Sequence, residues 1–379
     1  MTAFRPAATA CLLACLLAAA GCGGAADLDG AREQWRFAIE EAEGSVQHRY
    51  ATRFKELIER RTDGEVEVVV YPYGTLGTST QITEQLAMGI VELAMASPGS
   101  LGKFIPELQV FLLHFVLPEH QSDVRRVLSD PGLVAAFDPL YAAKGLTLLS
   151  IFSEGQMAWT LKEEVRDPDD FAGIKMRVMT SPILLAAYGA YGASPTPMPY
   201  SEVYSGLQLN MIDGQVNPVF AIERQKFHEV TDWLVFPGHA AFVTTTAANR
   251  AFLEGLPDER RRIVKEVFDE LEGWIFELQT GLESRRLAEI IRGKKKQRQT
   301  LHLCGEIEPL LAAFSDDDRR ELVDDNPHLV IEPPLSPEEL RAFREAARDV
   351  RGVFLRIGGT DAMAVLEQVR RLSAQTEGS

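Results

Sequence analysis

GIKMRVMTSPILLAAYGAYGASPTPMPYSEVYSGLQLNMIDGQVNP, residues 173–218, is the stretch that decides the fold. It begins with a short apolar run holding one cation, Arg177, between Met176 and Val178, and it closes on an Asp213-Gly214 turn followed by Asn217-Pro218. An arginine so flanked sits on or beside a buried strand, where its planar fork of donors requires an anion. Two partners are open: a carboxylate of the chain itself, such as Glu202 or Asp213, or a ligand. Residues 175–178 and 211–215 read as strands, and 183–191, 202–207 and 218–226 as helices, so the stretch alternates β and α.

Upstream, the folded part opens with the alternating run QWRFAI at 34–39. Tyr50, Phe54, Leu57 and Ile58 form the apolar stripe of a helix over 45–61, which Thr62-Asp63-Gly64 stops. A β-branched strand at 66–71, a helix at 79–88 and a strand at 91–96 complete a β-α-β-α-β order, the mark of a parallel sheet flanked by helices. The strand 146–153 ends this first unit. A second β/α set then uses strands at 158–161, 175–178, 211–215 and 233–236, and 241–247 returns to the first. A long helix starts at Pro257 and runs to about 292, about 50 Å at 1.5 Å per residue, enough to cross both units. Helices at 306–314, 317–323, 337–353 and 361–372 follow. The expected fold is an α/β two-lobed clamshell: 32–153 plus 242–256 form one lobe, 154–241 the other, 257–292 the spanning helix, and 293–379 an extended helical C-terminus on the lobes.

The 39 Lys and Arg against 55 Asp and Glu give a formal charge of −16, which argues against a nucleic-acid partner. Residues 1–21 read as a signal peptide with Arg5 as its positive end, shorter in its apolar run than the ~20 residues a spanning helix needs. Cys22 follows Ala19, Ala20 and Gly21, an ending that resembles a bacterial lipobox; an ordinary secretory signal is the alternative. Residues 22–31 would then be a flexible tether. After removal of Cys11 and Cys15 and acylation of Cys22, only Cys304 remains, so neither a disulfide nor a cysteine zinc set is expected. The basic run 294–298 reads as a solvated helix end, with contact to anionic lipid or a partner as the alternative. Phosphate-loop, dinucleotide-fingerprint, hydrolase-elbow and zincin motifs are absent from the sequence, leaving no expected catalytic set, metal or cofactor.

Several motifs, in order, resemble the DctP-type extracytoplasmic solute-binding proteins of tripartite ATP-independent periplasmic (TRAP) transporters. They are RRTDGEVEVVVYPYGTLG at 60–77, GIVELAMASPGSLGKFIPEL at 89–108, FAGIKMRV at 171–178, GASPTPMPYSEVYSGLQ at 192–208 and MIDGQVNP at 211–218. The resemblance covers 35 to about 296 and again 335–372. It implies a periplasmic clamshell that captures a small organic acid and delivers it to TRAP membrane permease subunits, here with membrane contact through an N-terminal lipid anchor. A clamshell feeding a signalling receptor is the alternative; an enzyme is not expected.

The resemblance also implies site residues. Arg177 grips the ligand carboxylate and Asn217 approaches the same group, although Asn217 also reads as an N-cap before Pro218. Met157 stands where many relatives carry a second arginine, which points to a monocarboxylate; a core methionine is the other reading. Trp159 and Tyr200, with Phe152 and Tyr204, are candidate cleft aromatics or core residues. Gln215 is a candidate ligand contact, and His239 falls in a family motif. His114, where the family usually has proline, and the long segment 297–332 are departures to which the residues assign no role.

Overall fold

The structure, a computed structural model, describes residues 32–376. The expected signal peptide and tether, and Cys22 as the expected acylation position, lie outside the described residues. Eleven strands follow in chain order: β1 (Glu33–Ala38), β2 (Val66–Tyr71), β3 (Leu93–Ala96), β4 (Leu146–Leu161), β5 (Lys175–Val178), β6 (Ser194–Pro197), β7 (Gly214–Pro218), β8 (Trp233–Val235), β9 (Ala241–Asn249), β10 (Leu301–Cys304) and β11 (Leu329–Glu332).

The continuous strand β4 joins two sheets. Through Gln156 it pairs antiparallel with β9, which pairs with β3 in a sheet completed by the parallel strands β1 and β2. From Met157 onward it pairs with β7 and β8, and this second sheet runs β6-β5-β7-β4-β8-β10-β11. The exchange follows a register shift between Ser153 and Gln156, where Gly155 has φ +126°. Only glycine takes that conformation readily, so Gly155 makes the irregularity possible. The expected strands 146–153 and 158–161 are therefore one strand that changes partners.

Helix Val46–Arg61 behaves as its sequence dictates. The Ser45 side chain accepts from His48 N at its start, and Tyr50, Phe54, Leu57 and Ile58 are fully buried, each contributing about 1.5–3 kcal/mol. The long helix is Asp258–Gln297, about 60 Å at 1.5 Å per residue. Val264, Val267, Phe268 and Leu271 pack with Phe54 and Leu57, whereas Leu287, Ala288, Ile290 and Ile291 pack with Val203, Ile222 and Leu303. One helix thus serves the cores of both sheets.

The C-terminal region differs from a purely helical expectation. In the 297–332 segment, β10 and β11 extend the second sheet, and Leu301 and Leu303 are buried there. Four-residue strands are too short to display a period that separates them from loop. The helix expected over 337–353 breaks into Pro337–Ala346 and Val350–Ile357 with a 3-10 turn between them, and Ala362–Thr376 closes the fold. The strand expected at 211–215 lies at Gly214–Pro218, because Asn210 turns with φ +56° and leaves Met211 exposed.

Candidate functional site

Arg177 on β5 is 3% exposed, and its Nε and Nη2 donate to the carbonyl of Met198 at 3.0 and 2.8 Å. Neither proposed internal partner reaches it. Asp213 accepts from Lys175 N at 3.0 Å and faces Lys175 Nζ at 3.8 Å, while Glu202 is exposed on its 3-10 turn. Among the described residues, Arg177 has no ion pair. Burial pulls its pKa down to about 10, opposed by Tyr200, Tyr73 and Glu41.

Arg177 opens into a cavity of about 210 Å³ between the two sheets. The sheet topology explains why polar groups converge there. Glu40 and Glu41 follow β1, Tyr73 follows β2, Ser97 follows β3, Met179 follows β5 and Tyr200 follows β6, so each stands past the carboxyl end of a strand. Open α/β sheets place ligands at these ends. The first-sheet wall is acidic: Glu40 accepts from Ser97 N at 2.8 Å and from the Ser100 hydroxyl, whereas among the described residues the only bond to the Glu41 carboxylate comes from Tyr200 OH, across the cavity at 3.5 Å. Burial raises the pKa of both carboxyls, and Glu154 and Glu40 push Glu41 further, well above the usual range. The Tyr73 and Tyr200 rings meet edge to face at 5.8 Å, closing the cavity between them.

Asn217 also lines the cavity. Its amide nitrogen donates to Gln215 Oε1, and Gln215 Nε2 donates to Thr160 Oγ1 at 2.9 Å. The N-cap of the following helix is Pro218, so Asn217 does not cap it. Fully buried Gln215 stands behind Asn217 and holds it rather than lining the cavity. Met157 lines a separate small void of about 20 Å³ with His114, Tyr188 and His239. Trp159 is a core residue: its Nε1 donates to Tyr188 OH at 2.8 Å and to His239 Nε2 at 3.2 Å, and its ring meets Phe171 and Phe343. Phe152 stacks on Tyr50 at 5.1 Å, and Tyr204 packs on the second core. His114 bonds Tyr191 OH at 2.6 Å. The structure thus brings Arg177, Asn217 and Tyr200 together and puts Met157, Trp159 and Gln215 elsewhere.

Sequence reasoning missed Glu40, Glu41 and Tyr73. Their position just past the carboxyl ends of β1 and β2 was the available signal. Among the described residues, no three His, Cys, Asp or Glu side chains gather as metal ligands, and no helix is long and apolar enough to cross a membrane.

Two sheets joined by the through-running strand β4, with a polar cleft between their carboxyl ends, define a ligand-capturing binding protein. The chain belongs to the DctP family, bacterial extracellular solute-binding protein family 7, whose model matches residues 37–303. It is 36% identical over 361 residues to the ectoine/5-hydroxyectoine-binding periplasmic protein UehA of Ruegeria pomeroyi, covering 95% of this chain and 96% of the relative. The solved periplasmic ectoine-binding protein of the TeaABC TRAP transporter of Halomonas elongata is 34% identical, with a TM-score of 0.77 over 90% of this chain and 100% of that one. A TRAP periplasmic solute-binding protein of Marinobacter aquaeolei VT8, solved in an apo open form, is 38% identical with a TM-score of 0.73 over 89% and 99%. The fold is the two-lobed periplasmic-binding fold, and the protein is an extracytoplasmic solute-binding receptor for small organic ligands rather than an enzyme.

Proposed function

We propose that this receptor captures a small zwitterionic monocarboxylate of the ectoine class and delivers it to TRAP permease subunits, tethered to the membrane through lipid on Cys22. The observation that carries the ligand reading is the facing pair in one cavity: Arg177 without an acid partner, and Glu41 with a single long hydrogen bond. A buried guanidinium binds a carboxylate through two charge-assisted bonds, strengthened as water leaves the cleft. A buried carboxyl across from it favours a cation, so the site matches a ligand of both signs better than a dianion. Ectoine is a cyclic amidinium bearing one carboxylate, and UehA and TeaA, at 36% and 34% identity, bear ectoine in their names. Asn217 supplies a further polar contact, and Tyr73 and Tyr200 supply flat walls for a small ring. Met157 contributes no second cation to the cavity, consistent with one carboxylate.

Calorimetric titration with ectoine, and with cyclohexanecarboxylate as a ring acid lacking the cation, tests this reading. Ectoine binds and cyclohexanecarboxylate binds at least tenfold more weakly if the reading is right. Equal affinity for the two, or binding of succinate in preference to both, overturns it.

A further inference from the structure

A second cavity, of about 310 Å³, lies on the C-terminal helices and is lined by Arg341, Arg344, Arg348, Arg351, Phe115 and His114. Glu345 is the one acid in its wall. The four arginines fall at i, i+3, i+7 and i+10 along the helices Pro337–Ala346 and Val350–Ile357 and their connecting turn, so they share a face. Some arginines of the chain, such as Arg36, Arg166, Arg260, Arg292 and Arg319, each meet a carboxylate, whereas others, Arg177 among them, do not. Among the described residues, none of the four lining this cavity has an ion-pair partner, although the chain carries 16 more acidic than basic groups.

Arg341, Arg344 and Arg348 are exposed, and one of them is held by an aromatic ring. Arg344 lies over the Phe115 ring at 4.8 Å. Phe115 has φ +58°, a conformation rare for a bulky residue, and its N–H donates to the carbonyl of His239 at 2.7 Å. Strained backbone therefore fixes the aromatic platform that holds the guanidinium. Arg351 is half-buried, and burial, then Arg370 and Arg348, lower its pKa. Like charges so gathered are relieved by an anion.

We infer that this arginine pocket binds a phosphoryl group carried on a small polar body. Guanidinium forks match phosphate oxygens in bidentate pairs, and the space exceeds that needed for a bare phosphate ion. A soluble phosphate monoester and an anionic phospholipid headgroup share this chemistry. The inference does not depend on what the Arg177 cleft binds.

The probes are glycerol 3-phosphate, followed by calorimetry, and flotation with phosphatidylglycerol vesicles against phosphatidylcholine vesicles, for wild type and R348E/R351E with the same N-terminus. Wild type binds glycerol 3-phosphate, phosphatidylglycerol or both, and R348E/R351E weakens that binding at least tenfold at an unchanged thermal midpoint. Binding of glycerol 3-phosphate alone assigns a free phosphate ester; binding of vesicles alone assigns a lipid headgroup. If the charge-reversed chain does not fold, R348A is used and loses at least threefold. Absence of binding to either probe, or equal binding by wild type and variant, overturns the inference.

Discussion

Arg177 and Glu41 face the same cavity with opposite demands. Among the described residues, the Arg177 guanidinium hydrogen-bonds to the Met198 carbonyl and to no carboxylate, whereas burial and the neighbouring Glu154 and Glu40 raise the Glu41 pKa well above the ordinary 4.5. A ligand cation beside Glu41 stabilises its carboxylate form. Binding below the free-state pKa of Glu41 therefore releases a proton, and affinity strengthens as pH rises through that pKa. Calorimetry in buffers of different ionisation enthalpy should detect the proton in wild type and lose it in E41Q, which also binds more weakly. Buffer-independent heats for wild type would contradict this. Glu154 and Glu283, buried near the β4 irregularity, each have a pKa raised by burial from 4.5 to about 7. The folded chain then holds more protons than the unfolded chain between these values, so their contribution to stability is lost as pH rises from about 4.5 to 7. E154Q/E283Q should lose less thermal stability than wild type between pH 5 and 8; parallel curves would refute the linkage.

At the scale of elements, β7 depends on a close approach. A Cβ at Gly214 would stand 2.4 Å from Leu161 Cδ2 and 3.0 Å from the Thr160 carbonyl, so the glycine of the Asp-Gly turn lets β7 lie against β4. G214A is expected to cost about 1–3 kcal/mol in urea unfolding through overpacking. No loss of stability would show that the strands separate freely. This element was legible only in part: the sequence reading put a strand at 211–215, whereas Asn210 turns and the strand runs Gly214–Pro218. The buried place of Arg177 on β5 was legible, since a lone cation between Met176 and Val178 reads as part of a buried strand. The acidic wall was not: Glu40 and Glu41 are local only in sequence, and their facing Arg177 depends on how two sheets meet. The helix Val46–Arg61 displayed its period over four turns, whereas β10 and β11 had four residues each in which to show one. Trp159 and Met157 belong to β4, whose alternation tells which residues share a face but not which faces border the cleft.

Across the whole molecule, the proposed capture requires open and closed arrangements of the two lobes. Tyr200 reaches Glu41 across the cleft, and Met179 packs so closely on Gly99 that a Cβ there would meet its Sδ and Cε at 2.8 Å. On the proposed function, ligand contacts with Arg177 on one lobe and Glu41 on the other exist together only when the lobes approach, so ligand would select that state. Solution scattering should show a smaller radius of gyration with saturating ectoine; an unchanged radius would exclude ligand-linked closure. At 100 times the dissociation constant, ligand should add about 2.7 kcal/mol to stability. The central claim is that a ligand carboxylate takes the place of the missing acid partner of Arg177. Its most direct test is calorimetric titration of ectoine into wild type and R177A, each first shown to be folded. Truncating one side of a buried charge pair costs about 2–5 kcal/mol, so R177A should bind at least ~30-fold more weakly. Equal affinity in the two proteins would contradict the account.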